Sequence, residues 1–231
     1  VLSHRPNASI AAVRRALAAG GEVAVARGEL EGPAGAETGA FVVSGIESGE
    51  LDGILRELGV RASAMQTEPE DTQPLELPRI GLFRPWAASM DEGWTRWLLE
   101  QYGFEPVALH NEGVRAGHLR ERFDVIVLAD MRPRTILEGY REGTVPPEYA
   151  GGIGEPGAAN LREFVEAGGT RVCFNAACEF AIETLRLPVK DALDGVSREE
   201  FFCGGALLTV EVARDLAEAG HPLVAGLPER P

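Results

Sequence analysis

Cys178 is the residue whose type and position first suggest chemistry. It follows a predicted strand, residues 171–175 (RVCFN), and precedes a predicted helix, residues 179–185. A nucleophile elbow holds a reactive side chain at such a place, against a helix N-terminus. A thiol there needs a base within hydrogen-bond reach. Downstream of it the only histidine is His221, and the next acid after that is Glu229. Together they would form a Cys–His–acid set for amide hydrolysis or amide transfer. Against this, an elbow nucleophile occupies the tight turn itself, and Cys178 stands three residues past the end of the strand. Ala176, nearer the turn, has no nucleophilic atom.

A second set lies where open α/β sheets bind ligands, at the carboxyl ends of the strands. Those ends carry Arg84 and Trp86, Asp130, and Glu179, a set able to line a ligand-binding cleft. The same residues also serve as ordinary turn, cap and packing residues, and fold alone assigns no function. The four histidines, His4, His110, His118 and His221, form neither HxxE nor HExxH, so no zinc-hydrolase ligand set is encoded. Cys173, Cys178 and Cys203 contain no CxxC pair and read as free thiols. The glycine-rich run 151–154 (GGIG) lacks GK[ST] and does not directly follow a strand, so it is neither a P-loop nor a dinucleotide fingerprint. It reads as a mobile loop.

These residues must be positioned by elements that the sequence punctuates clearly. Residues 7–20 read as a helix, with Asn7 as its cap and Gly20-Gly21 as its stop. Residues 22–26 alternate as a strand, residues 27–38 read as a loop, and residues 40–43 as a second strand. Ser48 is placed to cap a helix ending at Gly59, and an extended stretch covers residues 60–65. Residues 67–78 (TEPEDTQPLELP) hold three prolines, four acids and no base, the composition of a solvated linker. Beyond it strand and helix alternate. Strands are predicted at 79–83, 106–109, 124–129, 171–175 and 206–212, and helices from Ser89 to Gly103 and at 133–139, 156–167 and 179–185. Ser89 and Glu92 have the spacing of a capping box. Trp94, Trp97, Leu98 and Tyr102 recur at helical spacing and read as a core stripe. Residues 124–129 (DVIVLA) are apolar almost throughout, as in a central parallel strand covered on both faces. The repeating βα order predicts an α/β fold with a doubly wound, mostly parallel sheet. The expected organisation is a small α/β segment at 1–66, the linker at 67–78 and the main α/β domain at 79–231.

Composition bounds the partners. The chain has 231 residues with 22 Lys+Arg against 36 Asp+Glu, a net charge of −14, which argues against nucleic acid as a partner. No apolar run approaches the ~20 residues of a membrane-spanning helix. Lys190 is the one lysine, which with abundant Ala, Gly and Pro fits a GC-rich genome. The sequence begins at Val1 without an initiator Met, and residues 2–7 read like the middle of a protein, so a fragment or processed product is expected.

Four strings carry a family resemblance: residues 79–104 (RIGLFRPWAASMDEGWTRWLLEQYGF), 123–131 (FDVIVLADM), 161–189 (LREFVEAGGTRVCFNAACEFAIETLRLPV) and 221–230 (HPLVAGLPER). Together they resemble the carboxyl-terminal part of bacterial zinc carboxypeptidase-like proteins, where a domain similar to class I glutamine amidotransferases follows the peptidase domain. Residues 2–20 look like the segment just after that peptidase domain. The resemblance implies a flavodoxin-like, amidotransferase-like fold and a parent metallocarboxypeptidase whose zinc-bound water cleaves peptide C-termini. Zinc and its ligands would belong to the upstream peptidase domain, so this chain would hold no cofactor. The family's reactive cysteine would fall near Ala176, with Cys178 displaced, so no catalytic residue carries over. The expected function is a non-catalytic accessory domain that packs on the peptidase domain or binds substrate or partner at the strand-end cleft. The rivals are a cysteine-dependent amidohydrolase or amidotransferase using Cys178 and His221, and a ligand-binding or oligomerisation module, with a homo-oligomer among its forms. By resemblance the parent would be exported.

Overall fold

The computed structural model describes residues 1–67, 69–205, 207, 209–211, 213 and 224. His221 lies outside the described residues, as do Ala206, Leu208 and Val212 of the strand expected at 206–212. The chain divides into two compact units, one of Val1–Leu77 with Ser197–Pro231, the other Pro78–Val196.

The first unit is built on an antiparallel sheet. Helix α1 (Asn7–Ala18) leads into β1 (Glu22–Ala26), β2 (Glu29–Gly32), β3 (Gly35–Thr38) and β4 (Phe41–Ser44), followed by α2 (Ser48–Leu58) and β5 (Thr72–Leu75). The three-stranded order is β4-β1-β5, and β2 and β3 form a separate hairpin. Alternation in β1 sends Val23 into a core with Leu2, Ala12, Val13, Ala16, Leu55 and Val60. Two segments depart from the sequence reading. Residues 27–38, expected as a loop, contain the β2–β3 hairpin, in which Leu30 pairs with Glu37. Residues 67–78, expected as a linker, contain β5, whose Gln73 and Leu75 lie opposite Val25 and Val23. Pro74 is tolerated there because β5 is an edge strand, where a missing N–H costs no ladder bond. The caps also differ. Pro6, not Asn7, precedes the first turn of α1, and Glu47, not Ser48, precedes that of α2.

The second unit is a parallel α/β layer. Its elements are β6 (Ile80–Phe83), α3 (Met90–Gln101), β7 (Val107–Leu109), α4 (Asn111–Arg115), α5 (Leu119–Arg122), β8 (Val125–Leu128), α6 (Pro133–Glu138), α7 (Gly154–Glu166), β9 (Thr170–Cys173) and α8 (Ala177–Leu185). The strands run in the order β7-β6-β8-β9, all pairs parallel. Strand alternation splits the apolar residues between two cores. Ile80, Leu82 and Val127 meet Leu99 of α3 and Phe104, with Val125 and Val172 beside them. On the other face Phe83, Ile126 and Leu128 meet Val114, Leu119, Ile136, Leu161, Phe164 and Phe180 from the remaining helices. Helix α3 thus packs against one face of the sheet and the remaining helices against the other.

Helix α3 departs from expectation on its outer side. Trp94 is 65% exposed, Trp97 53% and Leu98 52%, so the predicted core stripe faces solvent within this unit. Leu99 is the α3 residue packed against the sheet. Half of the capping box forms: the Ser89 hydroxyl accepts from the Glu92 N–H at 3.1 Å. The Glu92 carboxylate turns instead to Arg96, accepting from Nη2 at 2.6 Å and Nε at 2.9 Å. An i,i+4 guanidinium offers a carboxylate two charge-assisted donors, where the cap's backbone offers one neutral N–H.

Candidate functional site

Parallel strands bring residues 84–86, 110, 130 and 175–179 to one edge of the sheet, the carboxyl edge. That edge divides into two parts with different chemistry.

The part above β8 and β9 is filled by the protein's own groups. Asn175 follows β9 in the left-handed conformation, φ 46°, and so occupies the tight turn where a nucleophile elbow would be. Its side-chain amide donates to the Asp130 carboxylate at 2.7 Å, and the Ala176 backbone N–H donates to the other oxygen of the same carboxylate at 3.1 Å. The next two N–H groups, of Ala177 and Cys178, donate to the Phe174 and Asn175 carbonyls. The donors that would cradle an oxyanion in an acyl-transfer enzyme are thus engaged by a resident carboxylate and the backbone. Cys178 lies in the first turn of α8, exposed, and its thiol donates to the Cys173 carbonyl at 3.3 Å. No histidine is described beside it. Glu179 is exposed one residue further along, and its carboxylate makes no hydrogen bond or ion pair among the described residues. Cys173, half-buried at the end of β9, has its thiol pKa pushed up by burial, a pull that Arg171 opposes in part. Burial there favours the neutral thiol over the reactive thiolate.

The part above β6 and β7 is a cavity of about 410 Å³ lined by Arg84, Pro85, Trp86, Ala87, Ala88, Ser89, Glu92 and His110. Its aromatic wall is tightly ordered. The Trp86 and His110 rings stack with centroids 4.2 Å apart at an interplanar angle of 7°. Tyr149, on the loop after α6, meets Trp86 edge-on at 4.8 Å. The Trp86 indole N–H donates to Glu112 at 3.3 Å. His110 Nδ1 lies 2.8 Å from the Arg84 carbonyl, which can only accept, so Nδ1 carries the proton. The Arg84 N–H in turn donates to the Leu109 carbonyl at 2.9 Å, which ties the two strand ends together.

Of the four predicted ligand-binding residues, Arg84 and Trp86 share this cavity, while Asp130 and Glu179 are not among its lining residues. Sequence reasoning missed His110 and Tyr149. His110 stands one residue past β7, so the strand-end rule that singled out Arg84 and Trp86 also applies to it. Tyr149 is held by its loop, where sequence spacing gives no signal. That loop is anchored. Asn111, buried, donates from Nδ2 to the Gly151 carbonyl at 2.9 Å, and the Arg115 guanidinium donates to the Gly152 carbonyl.

Among the described residues no group of three His, Cys, Asp or Glu side chains is placed to hold a metal ion, and no helix is long and apolar enough to cross a membrane. The fold and the cavity define an α/β protein with a four-stranded parallel sheet and an aromatic-walled cleft at its carboxyl edge. Comparisons with models of known families, with curated proteins and with solved structures find no match to this chain.

Proposed function

We propose that this chain is a non-catalytic accessory domain of a zinc carboxypeptidase-like protein. It would pack on the peptidase domain and bind substrate or partner at its strand-end cleft. The observation that carries the non-catalytic reading is the Asp130 carboxylate on the Asn175 amide and the Ala176 N–H, at the turn where an amidotransferase would keep its nucleophile. The strand order β7-β6-β8-β9 is that of the first four strands of a flavodoxin-like sheet, which supports the doubly wound, amidotransferase-like reading of the fold. The parent's zinc would sit in the peptidase domain.

Sequencing the gene upstream of Val1 tests the parentage. An open frame running back into a segment with HxxE and a later His is expected, and a start codon directly before Val1 would overturn the reading. The chain itself should hydrolyse neither glutamine nor carboxyl-terminal peptide bonds. A glutaminase rate that Cys178→Ser abolishes would revive the cysteine enzyme.

A ligand-binding module without a peptidase parent is the second reading, and Trp86 favours it. This tryptophan is half-buried at the wall of the cavity rather than lost in the core.

A further inference from the structure

We propose that the cavity above β6 and β7 binds a carboxylate carried on a flat ring, with Arg84 taking the carboxylate and the Trp86–His110 stack taking the ring. This rests on the strand-end cleft being a binding site and adds the chemistry of what it binds.

Three ionisable groups besides His110 bear on the cavity, and two are already engaged. Glu92 is neutralised by Arg96 through two hydrogen bonds, and Glu112 accepts from the Trp86 indole. Arg84 lines the cavity, and its guanidinium makes no hydrogen bond or ion pair among the described residues. Arg84 is therefore the cation at the cavity with no carboxylate partner among the described residues, while Glu112 keeps its own charge because a neutral indole N–H does not cancel it. A guanidinium presents a planar fork of N–H donors that matches the two oxygens of a carboxylate. One guanidinium balances one negative charge. A phosphate dianion would leave a charge over, beside the Glu92 and Glu112 carboxylates, so the carboxylate is the better fit.

Shape supplies the second half. The Trp86 and His110 rings are parallel to within 7°, and each is fixed by its own hydrogen bond, Trp86 to Glu112 and His110 to the Arg84 carbonyl. A wall held rigid before binding loses little entropy when a ligand arrives. Tyr149 closes the stack edge-on. A cavity of about 410 Å³ has room for a ligand of a few tens of atoms at most.

Benzoate is the probe, with benzamide as its neutral isostere, cyclohexanecarboxylate as its non-planar counterpart and phenyl phosphate as the dianion. The readout is the Trp86 indole N–H resonance, assigned by its loss in Trp86→Phe. Benzoate should shift this signal saturably in the millimolar range. Benzamide and cyclohexanecarboxylate should each bind more weakly, benzamide by about tenfold or more, the usual worth of a charge-assisted pair. Arg84→Gln should weaken benzoate about tenfold and leave benzamide unchanged. Equal binding of benzoate and benzamide, or of benzoate by the parent chain and Arg84→Gln, would overturn the assignment of Arg84. Tighter binding of phenyl phosphate would overturn the carboxylate while leaving a binding cleft in place. No saturable shift with any of the four probes would overturn the proposal together with the reading of this cleft as a binding site, whereas the parentage of the domain is decided by the upstream gene.

Discussion

The Asn175 side-chain amide donates to the Asp130 carboxylate across the carboxyl edge of the sheet, 2.7 Å from nitrogen to oxygen. This bond and the Ala176 N–H stop the turn between β9 and α8 from offering free donors, and Asn175 is itself held at φ 46°. Asp130→Ala should therefore cost about 1–3 kcal/mol, the range for losing hydrogen bonds to a charged acceptor. Asn175→Gly keeps the left-handed backbone and loses the side-chain bond, whereas Asn175→Val loses the bond and adds a β-branched clash. Urea unfolding should rank Asn175→Val below Asn175→Gly in stability.

Cys178 should behave as an ordinary surface thiol. It is exposed, and its thiol donates to the Cys173 carbonyl at 3.3 Å. Iodoacetamide should label it near neutral pH no faster than a free model thiol. Mass spectrometry of a timed labelling series measures this directly, and a rate enhanced by an order of magnitude would indicate an activating base.

Acid should weaken the fold partly through Asp124. The Arg79 guanidinium holds its carboxyl well below the usual carboxylate range, helped by the Arg79 backbone N–H and by Arg120. The two Arg79 side-chain bonds are 3.0 Å to Oδ2 and 2.9 Å to Oδ1. A carboxyl whose folded pKa is depressed contributes stability that is fully present above its unfolded value. That contribution is lost as pH falls from there toward the folded value. The unfolded value is about 3.9, so the loss should begin below about pH 4. Asp124→Asn should flatten the acid limb of stability against pH, measured by urea midpoints from pH 6 down to pH 2. An unchanged slope would mean that solvent screening has cancelled the pair.

The parallel layer was legible because its signals are local. An apolar run marks β8, Gly103 follows α3, and Ser89 caps it through the Glu92 N–H. The first unit hid more. Strands β2, β3 and β5 carry Gly, Pro and Glu, and what places them is pairing with distant residues. Glu37 shows this. Its side chain is 2% exposed, in a strand with no apolar alternation, held by the Ser3 hydroxyl at 2.9 Å and Arg5 Nε at 3.3 Å. No window around residue 37 reveals that Ser3 and Arg5 will reach it. The candidate site was half legible for a similar reason. The strand-end rule gives the edge of the sheet, but Asp130 turning inward to Asn175 and Trp86 turning onto His110 are tertiary choices.

Periodicity also cannot say which side of a helix meets the sheet. On α3 the Trp94/Trp97/Leu98 stripe has helical spacing, yet Leu99 is the residue that packs. Trp94→Ser should consequently change the stability of the chain by no more than about 0.5 kcal/mol, as for an exposed site. Phe164→Ala, in the core beneath β6 and β8, should cost about 3–5 kcal/mol. Thermal unfolding of the two variants side by side separates the cases. A large loss for Trp94→Ser would mean that something covers this face.

The loop that carries Tyr149 to the cavity is seated by close glycine packing, at Gly139 and at Gly152. A Cβ on Gly152 would come closer than 3.0 Å to the carbonyl oxygens of Ile136 and Leu137 at the end of α6. Those carbonyls belong to a helix whose Ile136 side chain is wholly buried, so they have nowhere to move. The Gly152 carbonyl is in turn held by Arg115, and the neighbouring Gly151 carbonyl by Asn111. Gly152→Ala should therefore destabilise the parallel layer by about 1–3 kcal/mol, the scale of overpacking in a packed interior. It should also release Tyr149 from the edge of Trp86, which the Trp86 indole resonance would report as a shift under conditions where the chain is still folded. Gly143, in the same loop, has open space around the position of a Cβ but a φ of 78°. Gly143→Ala should cost only the backbone strain, about 1–2 kcal/mol, and leave that resonance unmoved. If both substitutions behave alike, packing of Gly152 against α6 is not what seats the loop.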